Sequence, residues 1–322
     1  MNRRDFLLKS GAAASLSLLA RGPLSAQTPS ASSPSGPAAA PPAQVRMPAP
    51  VTEFRPLRGN VGLFTGRGGT IGWLAAPDAL MAVDTQFPDT AEIFLKGMPG
   101  RAGRKLDAVI NTHHHGDHTG GNGVFRPATQ TIVAQANVPE LMLAAAKRSP
   151  NGPAPTLPDS TFTDTWRRDF GAETIAARYF GPAHTRGDIA IHFEKANVVH
   201  TGDLAFNRIY PVIDRPGGAS IRGWVTVLES LVKTYPADAI YLFGHGHQKF
   251  GVTGGHPDLL VFRDYLAAML AHVETGIKAG KSKDEIGRLE NFPGFPDLHV
   301  PPGPGNRLKS NLNVAYDELT NA

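Results

Sequence analysis

The stretch Thr112-His113-His114-His115-Gly116-Asp117-His118 constrains this chain more than any other. It sets four imidazoles and a carboxylate within seven residues. Leu106-Asp107-Ala108-Val109-Ile110-Asn111 precedes it, a short apolar run that reads as a buried strand. A loop of this composition leaving a strand end suits a metal ion, because imidazole nitrogen and carboxylate oxygen are ligands that Zn²⁺ takes where thiolates are absent. The chain has no cysteine, which rules out a thiolate ligand or a cysteine nucleophile. In an extended turn His113 and His115 point to one side and reach one ion, while Asp117 and His118 serve a second close by. His114, between two ligands, should face away, toward supporting groups or solvent. The plainer reading, a histidine-rich tract on a surface loop, weakens as the rest of the chain is read.

Three later segments offer the same ligand types at strand ends. Gly181-Pro182-Ala183-His184-Thr185 follows the strand-like Thr174–Tyr179. Val198-Val199-His200-Thr201-Gly202-Asp203 ends an apolar run on a carboxylate, and Ile240-Tyr241-Leu242-Phe243-Gly244-His245-Gly246-His247 ends another on histidines. Each lies beside glycine, where chain segments can approach closely. On these residues the chain resembles the metallo-β-lactamase superfamily. That family's pattern is H-x-H-x-D-H, a lone His, an Asp (or Cys or Ser), then G-H-G, and it occurs here in order between Val61 and His247.

The resemblance implies an α/β fold, a four-layer αβ/βα sandwich of two mixed β-sheets with outer helices and the metal site at the sheets' shared edge. Periodicity alone supports only a mixed α/β domain. Position by position, it implies that His113, His115 and His184 hold one Zn²⁺, that Asp117, His118 and His245 hold another, and that Asp203 bridges them. Iron or manganese are the alternatives to zinc. A hydroxide between the two ions would be the nucleophile, with Asp117 as the catalytic residue that orients it. Asp84, at a strand end, is placed to hold a ligand histidine through its second nitrogen. His247 competes with His245 for the ligand role if the register slips by two residues. His192, His200, His256, His272 and His299 read as packing residues.

Asp203 also bears on the reaction. The best-known lactam-cleaving members carry Cys or Ser there, so Asp resembles the esterase, thioesterase, lactonase and phosphodiesterase branches. The expected function is therefore an exported dinuclear zinc hydrolase acting on an ester, lactone, thioester or amide of a small molecule. The alternatives are β-lactamase activity, a mononuclear iron oxygenase of the same fold, and a periplasmic binding or relay protein with little turnover. Asn207–Asp214 should overhang the metals. Tyr210 in it is a candidate oxyanion donor, and Arg208 or Arg215 a candidate partner for a substrate carboxylate, against the plainer reading of a connecting loop.

Residues 1–26 read as a twin-arginine signal: Arg3-Arg4 with Phe6-Leu7-Leu8, an apolar run from Gly11 to Ala20, and the small-residue site Leu24-Ser25-Ala26. The run is too short to span a bilayer. The expected partners are the twin-arginine export machinery and a small-molecule substrate, with a periplasmic or secreted product and no membrane span after cleavage. That segment holds four basic residues against Asp5, most of the chain's formal +4. The remainder is near neutral and has no basic block with interleaved aromatics, so nucleic acid is not an expected partner. Residues 27–50, rich in Pro, Ala and Ser, read as a disordered linker. Residues 51–322 read as the hydrolase domain with a helical C-terminal extension. The whole chain's 41% hydrophobic composition suffices for a core. Within it Val61–Thr65 and Ile71–Ala75 read as a hairpin, Val198–Thr201 and Ala239–Phe243 as strands, Ile221–Tyr235 and Asp258–Ala279 as helices, and Asn291–Pro304 as a surface loop.

Overall fold

The computed structural model describes residues 51–301 and 305–320. The expected signal and linker lie outside the described residues. Seven strands form the first sheet in chain order: β1 (Glu53–Arg58), β2 (Val61–Thr65), β3 (Ile71–Ala75), β4 (Leu80–Val83), β5 (Ala108–Ile110), β6 (Ile132–Gln135) and β7 (Ser160–Phe162). It is antiparallel from β1 to β4 and parallel from β4 to β7. The second sheet holds β8 (Thr165–Phe170), β9 (Glu173–Tyr179), β10 (Ile189–Phe193), β11 (Val198–Asn207), β12 (Ile240–Gly246) and β13 (Thr253–Gly254), in the order β13-β12-β11-β10-β9-β8. Only β11 and β12 pair in parallel there.

The helices are α1 (Pro88–Gly97), α2 (Gly116–Thr119), α3 (Asn122–Phe125), α4 (Val138–Arg148), α5 (Ile221–Thr234), α6 (His256–Lys278), α7 (Lys283–Ile286) and α8 (Arg307–Thr320). The period-two alternation of side chains assigns each strand two faces. From β4, Met81 and Val83 join Ile110, Ile189, Ile191 and Leu242 in the core between the sheets. Leu80 and Ala82 turn to the other face, against Phe94 of α1 and Phe125 of α3. On the far side Val199, Tyr241 and Phe243 of the second sheet meet Trp224 and Leu228 of α5, Phe262 and Leu266 of α6, and Leu312 of α8. The order is helix, sheet, sheet, helix: the four-layer sandwich of two mixed sheets.

Three of the differences from the sequence reading bear on the site or its borders. The hairpin β2–β3 has the expected bounds, but β1 went unread because Pro56 and its polar neighbours break the alternation. It pairs as an edge strand with its register shifted at Pro56, where a missing N–H is tolerated. Second, β11 does not stop at Thr201. It continues to Asn207 through two register irregularities against β12 that flank Gly202, whose φ is 49°. Such a bulge re-aims side chains, and here it turns Asp203 toward the sheet edge. Third, the described part of Asn291–Pro304 is not all surface: Phe292 and Leu298 are buried, and His299 bridges to Ile209.

Trp224 joins this architecture to what lies above it. It is fully buried, its indole N–H donates to the Leu204 carbonyl at 2.8 Å, and its ring lies 5.4 Å from those of His184 and Phe262. Trp224→Ala is expected to lower the unfolding free energy by about 3–5 kcal/mol, read from urea denaturation; a loss under about 1 kcal/mol would mean that the layer closes without it.

Candidate metal centre

The first sheet ends at β5, and the chain then runs through Asn111 and Thr112 into the histidine loop. The second sheet delivers Asp203 from bulged β11 and His245 from the end of β12, and the loop between β9 and β10 delivers His184. These segments meet at one edge of the sandwich. One nitrogen each from His113, His115 and His184 lies with an Asp203 oxygen in a group whose ligand atoms are all within 4.8 Å of one another. Asp117, His118 and His245 form a second such group. Asp203 faces both: Oδ2 is 3.3 Å from His184 Nε2, and Oδ1 is 3.1 Å from His118 Nε2 and 3.5 Å from His245 Nε2. All seven residues singled out in the sequence are thus brought together.

The protons decide what these groups can hold. A neutral imidazole has one N–H and one lone pair, and its partner fixes which nitrogen carries which. The Thr112 hydroxyl donates to Asp84 Oδ2 at 2.8 Å, so toward His113 Nδ1, at 3.0 Å, it offers only a lone pair. His113 therefore carries its proton on Nδ1. His184 Nδ1 donates to the Val212 carbonyl at 2.9 Å, and His115 Nε2 donates to Asp214 Oδ2 at 3.0 Å. The inward nitrogens are then bare. His115 Nδ1 lies 3.1 Å from His113 Nε2 and 2.9 Å from His184 Nε2, with no hydrogen left to stand between them. Three converging lone pairs beside a buried carboxylate repel one another unless a cation accepts them. The donor set fits a metal ion such as Zn²⁺.

Electrostatics separate the two groups. Burial lowers His184 to about 3, and burial together with the His118 charge holds His113 well below its ordinary value. Both are neutral and ready to ligate. At His118 burial acts in the same direction but is outweighed by the Asp203, Asp117 and Asp84 carboxylates, which raise it well above the usual histidine range. His245 is likewise raised by Asp203 and Asp117 against burial. In the metal-free protein a proton occupies the second group, and it must leave when a metal binds.

Asp84 organises the floor of the site. It is fully buried with φ 65°, a left-handed conformation that Asp adopts more readily than most residues. That turn lets one carboxylate accept from the Thr112 N–H at 2.7 Å, the Thr112 hydroxyl and His118 Nδ1 at 2.7 Å. Glycines give the clearance. A Cβ at Gly69 would overlap the His118 ring, and one at Gly244 would overlap Asp203 Oδ1.

Other sequence expectations resolve in detail. His114 does face away from the ligands, but it is buried rather than solvent-exposed, with Nε2 3.4 Å from Asp214 Oδ2. His247 leaves the cluster and stacks on His299 with centroids 3.8 Å apart, so His245 is the histidine at the site. His200 is satisfied within its strand by the Thr70 carbonyl and the Gly202 N–H. The Asn207–Asp214 segment does overhang the site, through residues other than those proposed. The Tyr210 ring packs on Tyr265 and its hydroxyl accepts from the Phe292 N–H at 3.1 Å, and among the described residues no hydrogen bond joins it to the ligand groups. Arg208 is held by Asp258, and Arg215 bonds the Ala219 carbonyl beside Glu318. The segment acts instead through the Val212 carbonyl on His184 and the Asp214 carboxylate on His115. Asp214 was missed; its only signal was a carboxylate in a loop expected to cover the metals.

The groups open on a cavity of about 890 Å³, with His115, Asp117, Asp203 and His245 at its floor. Phe206, Ile209, Val212, Val300 and Pro301 supply apolar wall, and Arg67 and Arg307 also line it.

Comparison with known proteins agrees with this geometry. A model of the metallo-beta-lactamase superfamily matches residues 56–245. The 2,4-dinitroanisole O-demethylase subunit alpha of Nocardioides sp. is 31% identical over 167 residues, 49% of this chain and 47% of that protein. A hydroxyacylglutathione hydrolase of Gloeobacter violaceus is 37% identical over 108 residues, 33% of this chain and 37% of that protein. The chain thus spans less than half the length of these relatives. A metallo-beta-lactamase from Pontibacter korlensis shares the fold with a TM-score of 0.57 at 17% sequence identity, covering 67% of this chain and 99% of that one.

Two outcomes are expected of the site itself. Asp84→Asn sets an amide N–H group beside His118 Nδ1–H and favours the wrong tautomer, so affinity for the second metal should fall about 10- to 100-fold in competition with a chromophoric chelator. An unchanged affinity would remove Asp84 from the site's support. As the pH falls, protons compete at His118 and His245 before they reach His113 and His184. Metal titrations at decreasing pH should therefore lose the second ion first, and simultaneous loss would contradict this ordering.

Proposed function

This chain belongs to the metallo-β-lactamase superfamily, and from that premise we propose that it is an exported, dinuclear zinc-dependent hydrolase. It cleaves an ester, lactone, thioester or amide bond of a small molecule. One observation carries the reading: the two oxygens of buried Asp203 face two separate ligand groups, His113, His115 and His184 on one side and Asp117, His118 and His245 on the other. A single carboxylate spanning two such groups is what a paired metal site requires.

When bound, two Zn²⁺ ions would supply a water acidified toward a pKa of about 7 and a Lewis acid for the substrate oxygen. The chain's own residues do the rest. Asp203 offsets part of the charge of both positions and fixes their separation. Asp117 remains partly open to the cavity, and the His118 charge and its hydrogen bond from His245 outweigh burial to hold its carboxyl well below the usual range. As a carboxylate it would act as an acceptor that orients the attacking water. Asp214 and the Val212 carbonyl keep the inward nitrogens of His115 and His184 aimed as substrate enters. The cavity volume suits a small molecule, and the wide apolar wall suits an acyl or alkyl portion.

Export is supported by the Arg3-Arg4 pattern and the apolar run behind it, with the twin-arginine machinery as partner and the periplasm or exterior as destination. No helix among the described residues is long and apolar enough to cross a membrane.

The test begins with metal analysis of the purified protein, where two zinc ions per chain are expected; one iron and no zinc would overturn the hydrolase. Hydrolysis across ester, thioester, lactone and β-lactam panels should fall by at least about 10³-fold on chelation or in His115→Ala, and return to the wild type on adding zinc. Silence across every panel with metal loaded would favour a binding or relay protein.

A further inference from the structure

The family match ends at residue 245, yet one wall of the metal cavity comes from beyond it, in Val300, Pro301 and Arg307. The two arginines that line the cavity differ in kind. Arg67 is committed: Asp89 accepts from its Nη2 at 2.7 Å and from its Nε at 3.2 Å, and its guanidinium lies over the Phe87 ring. Arg307 has neither an ion pair nor a hydrogen bond among the described residues, although nearby Lys309 is paired with Asp284. Arg307 is half-buried at the start of α8, whose first turn has no acidic residue. A cation there opposes the helix dipole, so the fold does not explain its position.

The remaining surroundings point the same way. The cavity that Arg307 lines also presents apolar side chains, Phe206, Ile209, Val212, Val300 and Pro301. Two of its residues, Val212 and Val300, are among the few large hydrophobic side chains left exposed, at 36% and 50%. Apart from Asp117 and Asp203, the cavity lining carries no acidic side chain that could answer Arg307. From this arrangement we infer that Arg307 is a specificity-determining residue. It binds the carboxylate, or an equivalent anionic group, of a substrate whose scissile bond lies over Asp117, Asp203 and His245 and whose short apolar segment runs along Val212 and Val300.

This rests on the hydrolase reading, and the experiment separates the two. Zinc-loaded protein is assayed on 4-nitrophenyl valerate, which is neutral, and on mono-4-nitrophenyl glutarate, which has the same acyl length and ends in a carboxylate. Glutarate binding is measured in parallel by calorimetry. The wild type should prefer the anionic ester. Arg307→Ala should lower the anionic-to-neutral ratio of kcat/KM by about 10- to 100-fold, mainly through KM, and should weaken glutarate binding by a similar factor. Arg307→Lys should restore part of both, and Arg307→Glu should invert the preference. A ratio and a glutarate affinity that do not move with residue 307 overturn the assignment while leaving the hydrolase intact. If neither ester is cleaved, glutarate binding alone decides: loss in Arg307→Ala upholds the anion site, and unchanged binding refutes it, while the hydrolase reading still rests on the thioester, lactone and β-lactam panels.

Discussion

The structure turns on where each histidine keeps its single proton. Thr112, Asp214, the Val212 carbonyl and Asp84 lie outside the ring of ligands, and each takes the N–H of one imidazole. The lone pairs of His113, His115 and His184 are thereby left to converge, which is unfavourable for a protein alone and favourable around a cation. The rest of the fold supplies the rigidity that keeps these outer partners in place: a strand end in left-handed backbone for Asp84, and a bulged strand for Asp203. Burying a carboxylate such as Asp203 is costly. That cost is offset only if positive charge resides beside it.

Much of this could be read from the residues alone. The H-x-H-x-D-H run, His184, Asp203 and His245 are local patterns at strand ends, and the strands before the loop, Asp203 and His245 announce themselves as apolar runs. Asp84 was legible for the same reason, as a carboxylate closing an apolar run. What escaped was set by long-range pairing. The extension of β11 beyond Thr201 depends on β12 accepting an irregular register, which β11's own residues do not encode. Asp214 looks like any loop acid until the chain places it 3.0 Å from His115. Tyr210 is the opposite case: a residue in the right segment whose hydroxyl meets a backbone N–H 82 positions later.

The later part of the chain has a double role. Through Leu308, Leu312 and Ala315 it covers the outer face of α5 and α6, and through Val300, Pro301 and Arg307 it borders the cavity. The chemistry-bearing residues all come from the segment shared with the family, whereas this wall does not. A common floor under a distinct wall is how one fold accommodates different ligands.

Glu318 ties these roles together. Near the far end of α8 it is buried and accepts from the Ile221 and Arg222 N–H groups at 2.8 and 3.0 Å, giving α5 part of the N-terminal cap it needs beyond Ser220. Helix α5 carries Trp224, which packs against His184. A ribosome must therefore translate past residue 318 before α5 is fully capped and the His184 side of the centre is backed by a settled helix.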